Sequence, residues 1–325
     1  MPRYRLCWLG LALLVFLGGC TRSAAKPIER TAFLLDTTVT ISLYQPQDPA
    51  VLDGCIQRIQ RYEQLFSRTV AQSDIGRLNA AGGQPVTVSA DTAALLQAGI
   101  RYSELSGGAF DCTIAPAAAC WDFTAEPPQL PDAAALANAA ERVDYRRIRV
   151  EGTQVQLDGA QTQVDLGGIA KGYIADRLRD YLLEQGVESA LINLGGNVLA
   201  VGQKDKTPWK IGIRDPLGDG LAAVITLKEG SVVTSGAYER GFTLDGVRYH
   251  HILDPETGWP VNNGLASVTI VSAQSVDGDA LSTACFVLGL EKGKALVESL
   301  DGIEALFIHQ DGTLTATPGL QYEVP

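Results

Sequence analysis

Asp165-Leu166-Gly167-Gly168-Ile169-Ala170-Lys171-Gly172-Tyr173 reads as the end of an extended run, a glycine turn and the first turn of a helix. Adjacent glycines let backbone approach a ligand closely, the free N–H groups of a helix start favour an anion, and Lys171 adds a full positive charge beside them. A plain tight turn followed by a solvated lysine fits the same string, so its meaning depends on its surroundings. It lies in mid-chain, and no glycine-rich fingerprint opens a first βα turn. A doubly wound nucleotide fold is therefore disfavoured.

After this turn the spacing predicts an amphipathic helix over 169–184, closed by Gly186. Short strands follow at 190–194, 198–201, 210–214, 223–227 and 231–234. Asp245-Gly246 then marks a hairpin between 241–244 and 247–252. A strand at 266–271, helices at about 277–288 and 291–300, and a hairpin over Asp311-Gly312 complete the chain. Before the turn, a strand pattern spans 32–44. Pro49 opens a helix whose Val51, Leu52, Cys55, Ile56, Ile59, Tyr62 and Phe66 share one face. Residues 73–79 form a loop or a short helical turn, and Ser89 caps a helix reaching about Leu105, before Gly107-Gly108. A proline-containing stretch, a short alanine-rich helix and strands at 145–150, 154–157 and 163–166 lead back to the turn. Helices alternating irregularly with hairpin-like strands predict an α+β protein with mostly antiparallel sheets.

The first residues have the grammar of an export signal: Arg3 and Arg5, an apolar run from Leu6 to Leu17, then small residues before Cys20. That run is too short for a permanent bilayer span. Loss of residues 1–19 moves the formal charge from −11 to −13, because Arg3 and Arg5 go and no acid does. Nucleic acid is excluded as a partner by so acidic a body, and a phosphate ligand needs a metal ion or local positive groups. Four cysteines remain beyond Cys20: Cys55, Cys112, Cys120 and Cys285. Cys112 and Cys120 are the closest pair in sequence, and an exported compartment permits disulfides without establishing this one. Cys55 and Cys285 fall in apolar helical patterns and read as buried thiols. With only His250, His251 and His309 and no Cys-x-x-Cys, a zinc site is not expected.

Asp279 and Thr283 lie four apart in the helix predicted over 277–288, so carboxylate and hydroxyl emerge on one face. Hard cations such as Mg2+ take oxygen ligands of that kind and keep positions open for phosphate oxygens. A capping acid and an ordinary helical threonine fit the spacing too. His250-His251-Ile252-Leu253-Asp254-Pro255 follows the hairpin, where a histidine can meet a phosphate or exchange a proton near neutral pH, or be satisfied by backbone. Gly108-Ala109-Phe110-Asp111 sets an aromatic and a carboxylate beside exposed backbone, which suits a ring system, although Phe110 also reads as core.

These pieces, in this order, resemble the ApbE family of FAD:protein FMN transferases. The match runs from about Leu35 to Gly289 through Ser73-Asp74-Ile75 with Leu78-Asn79, Gly108 to Thr113, Asp165 to Tyr173 with Asp176, Asn193-Leu194-Gly195-Gly196-Asn197, Thr234-Ser235-Gly236, His250 to Pro255, and Asp279 to Thr283. Leu17-Gly18-Gly19-Cys20 resembles a bacterial lipobox, which implies cleavage before Cys20 and lipid on its thiol and amine. The resemblance implies an ApbE-like, T-fold-like, two-lobed single catalytic domain over 31–325, behind a signal peptide (1–19) and a tether (20–30). It implies a lipid-anchored protein of the bacterial cell envelope, facing the periplasm or exterior. It implies that FAD is split at its pyrophosphate, that FMN is esterified to a threonine or serine of an acceptor protein, and that AMP leaves. Leu35, Ala109, Phe110, Asp111, Asp165, Lys171, His251 and Ile252 would contact FAD. The Gly168 carbonyl with Asp279 and Thr283 would hold Mg2+, and His251 would take the acceptor's proton, with Asp279 as rival.

Departures accompany the match. Leu35-Asp36-Thr37 stands where the family usually has Met-Gly-Thr, Thr69 where an aromatic is common, and Cys112 where proline is common. The acceptor motif implied is Asp-x-x-Ser/Thr-Gly-Ala-Thr-like, on a protein such as an electron-transfer subunit. Here Ser235-Gly236-Ala237 is followed by Tyr238, and Val232 stands where the aspartate would be, so self-labelling is not expected. Two other activities use the same residues: a Mg2+-dependent FAD pyrophosphatase, and a flavin-binding lipoprotein without turnover.

Overall fold

The computed structural model describes residues 27–204 and 206–325. The expected signal peptide, most of the expected tether and the lipobox-like stretch with Cys20 lie outside the described residues. An eight-stranded sheet forms the centre, in the order Ile28–Leu34, Thr37–Leu43, Ser189–Leu194, Asn197–Gly202, Gly230–Gly236, Leu265–Ser272, Glu304–His309 and Leu314–Ala316. Every neighbouring pair is antiparallel, and the spatial order is the chain order. The expected α+β class with antiparallel sheets is what the chain adopts.

Side chains alternate across this sheet as strand geometry requires. Ala190, Ile192, Leu194, Leu199, Val201, Val268, Ile270 and Phe307 enter the main core, while Ala200, Val232, Leu306 and Ile308 enter a second core on the opposite face. Helices Ala50–Phe66, Ala90–Leu105, Ala170–Glu184 and Ser275–Glu298 cover the first face. A three-stranded sheet of Tyr322–Glu323, Leu221–Leu227 and Trp209–Arg214 covers the second, sending in Trp209, Ile211, Ile213, Ala223 and Ile225. Three layers result, and most of the helical layer comes from one excursion, residues 44–188, whose ends meet where Leu43 pairs with Ala190 and Tyr44 N–H donates to Ser189 O at 3.0 Å.

Several boundaries follow their local chemistry. Ser89 accepts from Thr92 N–H and starts Ala90–Leu105, and Ser73 does the same for Asp74–Ala80 through Gly76 N–H. Gly289, at φ 77°, breaks Ser275–Glu298 into the two expected helices. Three expectations are corrected. The 32–44 pattern is a hairpin rather than one strand, because Leu35 and Asp36 both take φ 56°. The sheet also begins earlier than the expected tether ends, since Ile28 already pairs with Leu43. Residues 163–166 are not a strand: the Asn79 amide donates to Val164 O and accepts from Val164 N–H, occupying both backbone groups that a neighbouring strand would use.

Ala170–Glu184 and Ser275–Glu298 pack so closely that a Cβ on Gly172 would lie 2.4 Å from Ser275 O. Neither helix has a side-chain cap from its own N-cap residue, Ile169 or Gln274. Each borrows one from the other. Asp176 accepts from Ser275 N–H and Val276 N–H, both at 2.9 Å, and Asp279 accepts from Gly172 N–H at 2.8 Å. Two free helix N-termini are thereby satisfied by exchanged carboxylates. The Ser275 hydroxyl donates to Asn197 Oδ1 and ties this junction to the sheet.

Candidate active site

The junction of those two helix starts brings together residues far apart in sequence. Asp279 is 5% exposed, and burial pushes its carboxyl above the ordinary range, while Lys171, Gly172 N–H and the Asn197 side chain pull it back. It does not cap its own helix, as one reading of the sequence allowed, because that helix starts at Ser275 and is capped by Asp176. With Oδ2 on Gly172 N–H, Asp279 holds its carboxyl group at the mouth of the glycine turn. From the place a Cβ on Gly168 would take, Thr283 Oγ1 is 3.7 Å away and Phe110 Cε2 3.1 Å. Gly168, Asp279 and Thr283 therefore converge, and the bare glycine leaves the space between them open.

Phe110 is buried, with its ring packed against the turn. Asp111 accepts from Thr113 N–H, Thr113 Oγ1–H and Tyr145 N–H, so its oxygens pin the 111–145 contact; burial still raises its pKa. Ala109 is half-buried on the same loop. Asp165 accepts from Gly167 N–H at 2.8 Å and pairs with Arg68 Nε at 2.9 Å, which sets the entry to the glycine turn. Cys112 and Cys120 are unbonded: the first lies against Gly99, and the thiol of the second donates to Pro116 O.

The two histidines divide. His250 is spent, its Nδ1 accepting from Ile252 N–H and its Nε2 meeting Val261 O at 2.9 Å, with Phe286 edge-on to the ring. His251 keeps a buried Nδ1 with no hydrogen-bond partner. Its backbone N–H donates to Arg240 O, and Arg240 reaches Asp36 O at 3.4 Å, so the Leu35-Asp36 hairpin tip is tied to the His251 segment. Ile252 is buried in the main core. Burial lowers His251 to about 4, with the Arg240 carbonyl opposing and Lys171 contributing. At neutral pH the imidazole is uncharged and able to accept a proton.

A pH dependence follows with a definite sign. The unfolded chain takes a proton on this ring near pH 6.5, and the folded chain refuses it until about pH 4. Stability is thus full above the upper value and declines as pH falls toward the lower. His251→Gln is expected to flatten that decline, read as urea midpoints at about pH 7 and pH 5; a slope equal to the parent's contradicts it.

Glu239, Ser235, Ser282, Asn197 and Gly172 belong to this site although no motif reading assigned them a role. Glu239 is reached by water yet crowded enough that burial raises its pKa, with Lys171 as the largest opposing charge. Ser235 Oγ lies 2.9 Å from Ser282 Oγ and 3.2 Å from Thr283 Oγ1. Ser235, Ser282, Asn197 and Gly172 lie within the matching strings, which gave them no individual role, and Glu239 lies in none of them.

Among the described residues no group of three His, Cys, Asp or Glu side chains could hold a metal. The side chains that meet here instead offer one carboxylate, on Asp279, and the hydroxyls of Ser235, Ser282 and Thr283, an all-oxygen set that fits a hard divalent cation keeping waters and taking phosphate oxygens. Fold and site together define an antiparallel α+β protein whose candidate site lies where two helix starts join. The model of the ApbE family matches residues 35–307, and the chain belongs to that family. It is 37% identical to the FAD:protein FMN transferase of Treponema pallidum, over 95% of this chain and 92% of that one. It is 41% identical to an FAD:protein FMN transferase of Klebsiella pneumoniae, over 86% and 88%. The ApbE protein of Thermotoga maritima superposes with a TM-score of 0.84 at 34% identity, covering 90% of this chain and 97% of that one. The flavin transferase ApbE of Vibrio cholerae gives 0.82 at 29% identity, covering 90% and 97%.

Proposed function

We propose that this chain transfers the FMN half of FAD to a hydroxyl of an acceptor protein and releases AMP. The observation that carries the reading is the convergence of the Gly168 turn, Lys171, Asp279 and Thr283 at one pair of helix starts. A diphosphate repels an incoming oxygen nucleophile, so displacement needs neutralised charge and fixed geometry more than covalent help. The Gly168 carbonyl, Asp279 and Thr283 would hold Mg2+, which when bound supplies Lewis-acid neutralisation of the phosphate oxygens. Lys171 adds a second positive charge on a protein whose net charge is −11. Phe110 and the bare glycines shape the turn so that backbone approaches the ligand. The acceptor oxygen bonds to the flavin-side phosphorus, the bridging P–O bond breaks, and AMP departs with the bridging oxygen. His251, neutral and with an unspent ring nitrogen, takes the hydroxyl proton.

Incubation with FAD, Mg2+ and a peptide carrying an Asp-x-x-Thr-Gly-Ala-Thr-like stretch tests this. The expected result is a peptide heavier by one FMN, with one AMP released per label. Free FMN and AMP with an unlabelled peptide would instead mark a pyrophosphatase, and intact FAD a binding protein. Lys171→Ala is expected to weaken FAD binding on the order of 10-fold, measured by flavin fluorescence titration. Unchanged affinity returns Lys171 to the role of a solvated charge.

The envelope location rests on Leu17-Gly18-Gly19-Cys20 and the short apolar run before it. No helix among the described residues is long and apolar enough to cross a membrane; the anchor we propose is lipid on Cys20. Mass analysis of the N-terminal peptide reads this directly: an acylated Cys20 is expected, and an intact Met1 start refutes it.

A further inference from the structure

We infer that Ser235 is a positioning residue for the cation, accepting the Thr283 hydroxyl proton so that both Thr283 lone pairs are left for the metal. The inference rests on the reading of Thr283 as a cation ligand. A hydroxyl has one proton to donate and two lone pairs. The Ser282 proton is committed, because Ser282 Oγ donates to Asp279 O at 3.0 Å and a carbonyl cannot donate back. At the 2.9 Å contact between Ser235 and Ser282, Ser235 must therefore be the donor. With its proton spent, Ser235 can only accept at the 3.2 Å contact with Thr283. The row thus runs one way, from Thr283 through Ser235 and Ser282 to the Asp279 carbonyl.

Direction is what a cation needs from a neutral ligand. A hydroxyl whose proton faces the metal repels it, and one whose proton is held elsewhere offers only lone pairs. The carbonyl that ends the row belongs to Asp279, whose own carboxylate lies at the same site, so one residue supplies charge and polarity together. Ser235 sits on the strand Gly230–Gly236 and the other two hydroxyls on the helix Ser275–Glu298, so the row also fixes helix to sheet at the metal position.

Mn2+ titration of the FAD-free chain, with free Mn2+ read by electron paramagnetic resonance, tests this apart from turnover; Mn2+ shares the oxygen-ligand preference of Mg2+. Ser235→Ala is expected to weaken Mn2+ binding roughly 10- to 100-fold, the usual cost of losing a partner that orients a metal ligand. Ser235→Thr keeps the hydroxyl and is expected to restore binding. Ser282→Ala, which frees Ser235 to donate back toward Thr283, is expected to weaken it less than Ser235→Ala. Urea midpoints of all variants control for folding. Parent-like Mn2+ affinity in Ser235→Ala overturns the inference alone. A parent chain that takes up no Mn2+ overturns the cation reading and this inference with it. Weakened binding in Ser235→Ala that Ser235→Thr fails to restore also overturns it, since the hydroxyl is then not the cause.

Discussion

Asp279→Ala is expected to abolish FMN transfer, with a loss on the order of 1,000-fold, because the change removes the one carboxylate among the proposed cation ligands. FAD binding should weaken only in part, since Lys171 and the glycine turn remain. The same carboxylate accepts from Gly172 N–H at 2.8 Å, so the alanine variant also leaves a helix N–H unpaired, at a cost of about 1–3 kcal/mol. Asp279→Asn separates the two roles: its amide oxygen can keep the Gly172 bond while the charge is gone. Acceptor labelling should be lost in both variants, and thermal stability should fall more in the alanine. Full labelling in either variant would refute the cation assignment.

Gly172→Ala is the second large effect, and it reaches the chemistry through packing. The added Cβ would meet Ser275 O at 2.4 Å and Val276 Cα at 2.7 Å. These are backbone atoms at the start of the helix carrying Asp279 and Thr283, so they can give way only if that helix moves. Overpacking of this kind costs about 1–3 kcal/mol. A shift near 1 Å in catalytic groups costs on the order of 100-fold in rate. Calorimetry and acceptor labelling on the same preparation check both figures. An unchanged melting temperature together with an unchanged rate would mean that the two helices do not lock at this point.

Legibility in the sequence followed the range of the interaction. Ser89 with Thr92, Asp245-Gly246 and the helix closing at Gly186 are settled within a few residues, and the structure has each where its local chemistry places it. The first hairpin was hidden because Leu35 carries no turn signal although it takes φ 56°; Asp36 beside it tolerates that region far better. Residues 163–166 have strand composition, but the backbone partner of Val164 is a side chain distant in sequence, Asn79. At the site, the four-residue step from Asp279 to Thr283 was readable as one helical turn. The exchange of Asp176 and Asp279 between two helix starts was not, because each carboxylate answers an N–H about a hundred positions away.

The central sheet visits its strands in the order in which they are made, and this has a consequence for descent. Any excursion between successive strands leaves and returns within one strand spacing, ~4.8 Å. Tyr44 with Ser189, and the register of Gly236 with Ser267, close two such excursions. The second contains the Gly241–His250 arm that delivers His251. A gene could lengthen, trim or exchange that arm as a cassette without rewiring a single ladder beneath it. Such changes would leave the two joined helix starts and their exchanged carboxylates in place.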